Sequence, residues 1–336
     1  MKASSGNPIY TVYLVIGSSK YNITPAVMSL DYSNQEQQIA ASYTIYAANI
    51  KVGNSYLSTM LQVRQRVFIY ANDGSQNKEV FRGWTWTKYY ESENDSKELR
   101  IKCYDNLIYL QESEDSFYFT DGTQTSSVMS TICNEWGITL NYRYESISHE
   151  KMALRGTLSD MITSDILDKV KKRTGTKYVI TSQQDVMTVA PVGSNTTVYS
   201  LTTKNNTTLT RSETTMDGMV TQVKILGNAE KDSEKLPVLA TVKGNTSTYG
   251  TLQKLQDKDT DTNLADAQTE AQNTINEDGK PKKEYYVDAT DIPWIQKGDK
   301  VYVNAGNIYQ KTLIVAGIDR DLSNKRKKMS LTMKDQ

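Results

Sequence analysis

The sequence predicts a mainly β protein with α+β character: a first β domain, a small α+β domain, and a second β domain with a helical insertion. Three observations carry this prediction. The 336 residues include 22 Tyr and four Trp among abundant Thr and Val, a composition that favours strands. From Tyr10 to about Glu112, apolar and polar residues alternate between turn signals at the spacing of a sandwich or small barrel. From about Ser113 to Leu201 the period shifts from two to about 3.6 residues. A chain of this length exceeds what one core usually organises, which argues for two or three domains.

In residues 1–112 the strands are IYTVYLVIG, SKYNITPAVMSLDYS, ASYTIYAANI, MLQVRQRVFIYAND, EVFRGWTWTKYYE and KELRIKCYDNLIYL. The clearest hairpin turn is NDGSQN, Asn72 to Asn77. In residues 113–201, Asp121-Gly122 precedes a helix in which Val128, Ile132 and Trp136 recur at four-residue steps and Gly137 supplies a left-handed stop. A second helix aligns Leu158, Ile162, Ile166 and Val170; Thr157 or Ser159 caps its start, basic residues fill its last turn, and Gly175 ends it. KYVITSQQDVMTVAPVG then forms a hairpin around Gln183 to Asp185.

In residues 202–336 strands return in TTLTRSETTMDGMVTQVKILGNA, interrupted by a polar insertion at about 230–281 that carries one helix. Asp261 or Thr262 caps that helix, Gly279 lies past its end, and its stripe is Leu264, Ala267, Ala271 and Ile275. So narrow a stripe places it on a surface or against a neighbouring subunit. YYVDATDIPWIQKGDKVYV, IYQKTLIVAGIDRDL and KKMSLTMKD close the domain, with Met329, Leu331 and Met333 alternating. Within KGDKVYV, Gly298 and Asp299 read as a tight turn that launches Val301 and Val303 into a core, with Trp294 covering the corner.

Thirty-nine Lys plus Arg balance 39 Asp plus Glu, so the whole-protein field of a dedicated nucleic-acid or anionic-membrane binder is absent. The apolar run YTVYLVIG is too short to span a bilayer, and no cleavage pattern follows it, so the reading is a soluble protein not exported by the general route. Cys103 and Cys133 sit in apolar contexts and read as buried free thiols. The single histidine, His149, lies in the polar stretch ESISHEK; it reads as solvent-facing and has no metal-ligand spacing around it. Asn206-Thr207-Thr208 matches a glycan acceptor, but without export it means little.

No P-loop, GxGxxG after a strand, HExxH or GxSxG pattern occurs. A lone surface histidine leaves Ser/His and Cys/His nucleophilic sites without their base. The cluster ESEDSFYFTDG, Glu112 to Gly122, is the best carboxylate candidate for sugar hydrolysis, weighed against an acidic solvated linker. Trp84 and Trp86, two apart on a strand, share a face beside Arg82 and Lys88. They read as core or subunit interface, with a sugar- or base-stacking platform as the alternative. KRKK, Lys325 to Lys328, falls where a hairpin tip is expected; it reads as a solvated loop, with an acidic partner or DNA backbone as the alternative.

Taken in order, three stretches carry a family resemblance. They are IYTVYLVIGSSKYNITPAVMSLDYS with its turn at Thr24-Pro25, FRGWTWTKYYESENDSKELRIKCYDNLIYLQES, and IPWIQKGDKVYV followed by TLIVAGIDRDLSNKRKKMSLTM. With them the chain resembles, over essentially its full length, the XkdQ/YqbQ group of PBSX-type baseplate hub proteins of contractile phage tails and phage-tail-like bacteriocins. It departs from the wider late-control group at Asp319, where many relatives have histidine.

The resemblance implies two tail-tube-like β-barrel domains flanking the small α+β domain. It implies a non-enzymatic structural hub without catalytic, cofactor-binding or metal residues. Three chains would form a ring of six barrels that joins a hexameric tail tube to a three-fold spike. The implied partners are the tail tube protein, the spike, a LysM-containing tail protein and baseplate wedge proteins. The implied location is the baseplate of a virion or tail-like particle assembled in the bacterial cytoplasm, with DNA passing transiently through the lumen. Two rival readings are a tail-tip peptidoglycan hydrolase, using carboxylates in Glu112 to Asp121, and a carbohydrate-binding module, using Trp84.

Overall fold

The computed structural model describes residues 7–93, 96–227, 235–258, 263–323 and 327–335. The first β unit contains β1 (Ile9–Ile16), β2 (Ser19–Asn22), β3 (Val27–Asn34), β4 (Ser42–Ala48), the short hairpin β5 (Lys51–Val52) and β6 (Ser55–Tyr56), β7 (Arg66–Asn72), β8 (Asn77–Glu93) and β9 (Ser96–Tyr104). Alternation works as read: Val12, Leu14, Tyr43, Ile45, Val67, Ile69, Leu99, Ile101 and Cys103 are buried on one side. The turn after β7 closes where expected, with Asp73 Oδ1 accepting from the Ser75 and Gln76 amides at 2.9 Å.

The middle unit holds β10 (Glu114–Phe119), β11 (Thr139–Tyr142), β12 (Met152–Thr157), β13 (Tyr178–Gln183) and β14 (Val186–Pro191). Two helices lie over one core with Cys133 and Met187. The first spans Thr125–Glu135. The second begins at Leu158 and ends at Thr174, and Gly175 caps it in the left-handed conformation at φ 74°. The four stripe residues of this second helix are all buried. Its middle, Met161–Leu167, is wound as a π-helix rather than an α-helix. In an α-helix, residues four apart drift by about 40° per step. The wider turn holds Leu158, Ile162, Ile166 and Val170 toward the core. Between β13 and β14 the turn residues Gln184 and Asp185 both take positive φ, 51° and 66°, as a two-residue hairpin requires.

The last part contains β15 (Ser200–Thr202), β16 (Thr207–Thr215), β17 (Gln222–Leu226), β18 (Val238–Lys243), β19 (Gln253–Asp257), β20 (Lys282–Thr290), β21 (Lys300–Asn304), β22 (Gln310–Leu322) and β23 (Lys327–Lys334). The insertion holds more than the one helix expected. β17, β18 and β19 form a three-stranded sheet, and the helix Leu264–Asp278 packs on it through Ala267, Ala271 and Ile275. Leu264 is exposed and leaves the stripe. The cap is Asn263, whose side chain accepts from the Asp266 amide at 2.9 Å; Asp261 and Thr262 lie outside the described residues.

The two β units are not separate sheets. β22 pairs with β3 through Ile318–Asn34, Asp319–Ser33, Arg320–Tyr32 and Asp321–Asp31, so one sheet runs through both. Each unit curls around its own core, and Tyr32 and Trp294 touch both cores.

Candidate functional site

What this fold concentrates is contact between units, beginning with the seam where β22 meets β3. On the core side, Arg320 Nε donates to Asp291 Oδ1 at 2.8 Å, and its NH2 donates to the carbonyls of Ile292 at 3.3 Å and Ile295. Tyr10 OH of the first β unit donates to the other oxygen of Asp291, and the guanidinium lies 4.8 Å from the Tyr32 ring centre. Both charged side chains are almost fully buried, at 4% and 0% exposure. Burial pushes the Asp291 carboxyl above its ordinary range, against the pull of Arg320. Burial is the largest single influence on Arg320 and works against its charge, but Asp291 together with Tyr10, Tyr43 and Tyr32 outweighs it, so the guanidinium holds its proton more firmly than usual.

Beside this pair, Lys297 Nζ donates to the carbonyls of Gln35 and Gln38 at 3.0 and 2.6 Å. Burial lowers its pKa to about 8. Asp105 accepts from the Ala41 and Leu107 amides at 3.0 Å, and burial raises it to about 7. Every one of these polar groups is spent on another part of the chain, which makes the seam a clamp. The sequence reading missed all of them. The phase of β22 carried the signal, since Ile318, Arg320 and Leu322 alternate on one side.

On the opposite side, the sheet presents a polar face that crosses the seam: Asp31 and Ser33 on β3, Ser42 and Thr44 on β4, Lys102 on β9, Asp319 and Asp321 on β22, Lys328 and Ser330 on β23, and Asp288 on β20. Asp31 lies directly opposite Asp321, a like-charge pairing that costs stability; burial and then Asp321 raise its pKa. Asp319 accepts from Gln35 Nε2 at 2.9 Å.

The KGDKVYV turn is an inter-unit contact as well as a corner. Gly298 has φ 86°, and a Cβ there would fall 2.6 Å from Val179 Cγ1 of the middle unit. Asp299 accepts from the Gln296 amide at 2.9 Å within its own turn; burial raises it to about 6. Val301 and Val303 enter the core, and Trp294 Nε1 donates to Asp73 Oδ2 at 2.7 Å. The β13–β14 turn grips the first β unit: Asp185 bonds Arg66 at 2.5 Å and lies 3.5 Å from Arg82.

Trp84 and Trp86 do share the outward face of β8, with Arg82 beside Trp84 as expected but Lys88 elsewhere. The Arg66 guanidinium lies 4.3 Å over the Trp84 ring, so that face is already covered. Trp86 sits at a bulge between Thr85 and Thr87 and meets Tyr104 and Tyr109 edge-on. The extra residue turns Lys88 to the other side, where it donates to the Ser58 and Leu61 carbonyls.

Within Glu112 to Gly122, β10 pairs with β12, and Asp115 accepts from Trp136 Nε1 at 3.1 Å. A shallow polar hollow there is lined by Glu114, Asp115, Ser116, Arg155 and Gly156. Cys103 and Cys133 are buried free thiols in different cores. His149 is a correction: it is buried, its Nε2 lying 2.9 Å from Thr125 Oγ1. Its backbone bonds Gly122 and Thr123 fold the loop over the helix start. Burial, and then Lys169 and Arg173, lower its pKa to about 4. Of KRKK, Lys325 and Arg326 lie outside the described residues; Lys327 and Lys328 begin β23, which pairs with β22 as a hairpin. Among the described residues, no group of three or more His, Cys, Asp or Glu is placed to hold a metal, and no helix is long and apolar enough to cross a membrane.

Solved structures with this fold include phage tail proteins and a type VI secretion component. A tail protein from Neisseria meningitidis superposes with a TM-score of 0.70 at 15% identity, covering 97% of each chain. The 43 kDa tail protein of prophage MuSo2 from Shewanella oneidensis gives 0.69 at 13%, covering 97% of this chain and 98% of that one. An E. coli type VI secretion component described as similar to the T4 tail proteins gp27 and gp5 gives 0.61 at 10%, covering 97% and 76%. No curated protein matches by sequence. The YQBQ-like family model matches residues 60–334, most of the chain including β22 of the seam. The chain belongs to the YQBQ-like family.

Proposed function

We propose that this protein is the structural central hub of a contractile tail baseplate: a homotrimer whose two barrels per chain form a pseudo-six-fold ring joining the hexameric tail tube to the three-fold spike. The observation that carries this reading is the single sheet that runs through both β units over the buried Arg320–Asp291–Tyr10 clamp. A hub that matches six-fold to three-fold symmetry needs two similar barrels held in one fixed relation, and a closed ring suits such repeated contacts. The working domains are residues 1–112, 113–201 and 202–336. The further partners are the LysM-containing tail protein and the wedges. The role is non-enzymatic, assembly takes place in the bacterial cytoplasm, and the mature location is the particle's baseplate.

The polar face across the seam lines the lumen. Its central carboxylates, Asp31, Asp288, Asp319 and Asp321, suit a conduit through which DNA passes without being gripped. Cryo-electron microscopy of the parent particle tests the reading. Three copies at the junction of tube and spike, with this face inward, are expected. A different copy number, a position elsewhere in the particle, or a strongly basic lumen would overturn it.

A further inference from the structure

The small unit on the insertion has two unlike sides. Its helix, Leu264–Asp278, carries Asp266, Glu270, Glu277 and Asp278 and no lysine or arginine. The helix covers one face of the β17–β19 sheet, packing on Val223 and Ile225. Its acidic side chains turn to the basic last turn of the middle unit's second helix, with Glu277 3.7 Å from Lys171 and Glu270 3.4 Å from Arg173. On this side the apolar groups are buried and the charges are matched within the chain.

The other side is open. Strand register puts Leu226 between Val238 and Asp257, and Lys224 between Thr241 and Leu255, on the face turned away from the helix. Among the described residues, Leu226, Val238 and Leu255 join none of the cores. Val238 is 48% exposed and Leu255 57%. Val238 also belongs to the run Lys235-Leu236-Pro237-Val238-Leu239, in which every residue is exposed. Four consecutive apolar residues in water add nothing to this small fold, and a surface of that kind marks a place where something else binds.

Charge says what binds. The strands of this sheet and the approach to β18 carry Lys224, Lys235, Lys243 and Lys254 against Asp257. None of these four lysines makes an ion pair among the described residues. The acidic helix has its opposite sign inside the chain, whereas the basic, apolar sheet face has none.

We propose that the open face of the β17–β19 sheet docks an acidic, leucine-rich segment of another protein of the baseplate. Apolar side chains of that segment cover Leu226, Val238 and Leu255, and its carboxylates meet Lys224 and Lys243, which lends the contact its selectivity. A second copy presenting the same face would set lysine against lysine, a repulsion that argues against self-association here. Thr241 and Gln253 stand among the apolar residues, so the face suits an alternating protein segment better than the continuous hydrocarbon of a bilayer. The inference rests on the hub reading above only for where the partner is found.

The test is photo-cross-linking in the assembled particle with p-benzoylphenylalanine at position 238 or 255, the linked peptide being identified by mass spectrometry. Both positions are expected to link to one segment of a different protein, net negative and rich in large apolar residues. Lys224→Glu combined with Lys243→Glu is expected to lower the yield of that link several-fold, with the melting temperature of the purified chain unchanged. Particles that contain the chain yet give no link from either position would overturn the proposal, as would links to a second copy of this chain or to a basic segment. Sedimentation of the purified chain with vesicles of phosphatidylcholine and phosphatidylglycerol, lost in Val238→Asp combined with Leu255→Asp, would also overturn it by assigning the face to a lipid surface. The hub reading falls separately, if the chain lies away from the junction of tube and spike, whatever the cross-links show.

Discussion

Two of the places where folded units press together are built from opposite kinds of ion pair. At the seam between the β units, Arg320 and Asp291 are 4% and 0% exposed and bonded to Tyr10 and two carbonyls besides. Where the helix Leu264–Asp278 meets the middle unit, Arg173–Glu270 and Lys171–Glu277 lie 3.4 and 3.7 Å apart with side chains between 20% and 37% exposed. A buried pair repays its desolvation only while every partner is present. A solvated pair is worth little and is lost cheaply. The relation between the two β units is therefore set with the fold itself, whereas the small unit is attached by contacts that water can replace.

Arg320→Met should break this contrast most severely. It strands Asp291 in a dry core, and about 3–5 kcal/mol of unfolding free energy is expected to disappear, measurable by urea denaturation. A loss below about 1 kcal/mol would make the seam no different from a surface pair.

Acidification should separate the two junctions next. Arg173 bonds Ser148 and Glu150, on either side of His149. The folded pKa of His149, about 4, lies below its ordinary value, so the unfolded chain takes up the proton first. Stability that is present above about pH 6.5 is lost as pH falls toward about 4. At the seam the sign reverses. Asp105 and Asp299 are raised to about 7 and about 6, so the folded state binds those protons more readily, and the seam gains stability as pH falls from about 7 to about 4. Hydrogen exchange at pH 6.5 and 5 should show the amides bonded around His149 losing roughly 1.5 kcal/mol of protection between the two, with His149→Gln abolishing the change. Equal losses at Val315 and Asp291 amides would defeat the contrast.

The smallest effect belongs to Arg173→Ala, expected to cost less than about 1 kcal/mol by denaturant titration. A cost equal to that of Arg320→Met would mean the outer junction is no more adjustable than the seam.

Local signals were readable where a few neighbouring residues decide the outcome. The stripe Leu158, Ile162, Ile166 and Val170 and the stop at Gly175 stand in the structure as read, because spacing and a positive φ are short-range matters. His149 was misread because its burial comes from a loop returning over Thr125, which the polar stretch ESISHEK does not announce. The sheet β17–β19 escaped notice because strands such as QKLQD show little alternation and pair partly in parallel. Lys88 went to the wrong face because a single bulged residue shifts the phase of everything after it.

The approach of Gly298 to Val179 has a genetic consequence. A side chain at 298 meets two separate obstacles: a backbone at φ 86° that disfavours any Cβ, and a neighbour 2.6 Å from where that Cβ would stand. Changing Val179 can relieve only the second. Alanine at 298 should therefore be less harmful in a Val179→Gly background than alone, yet never free of penalty. The two positions, in units that the chain order keeps far apart, are bound to tolerate mutation as a pair.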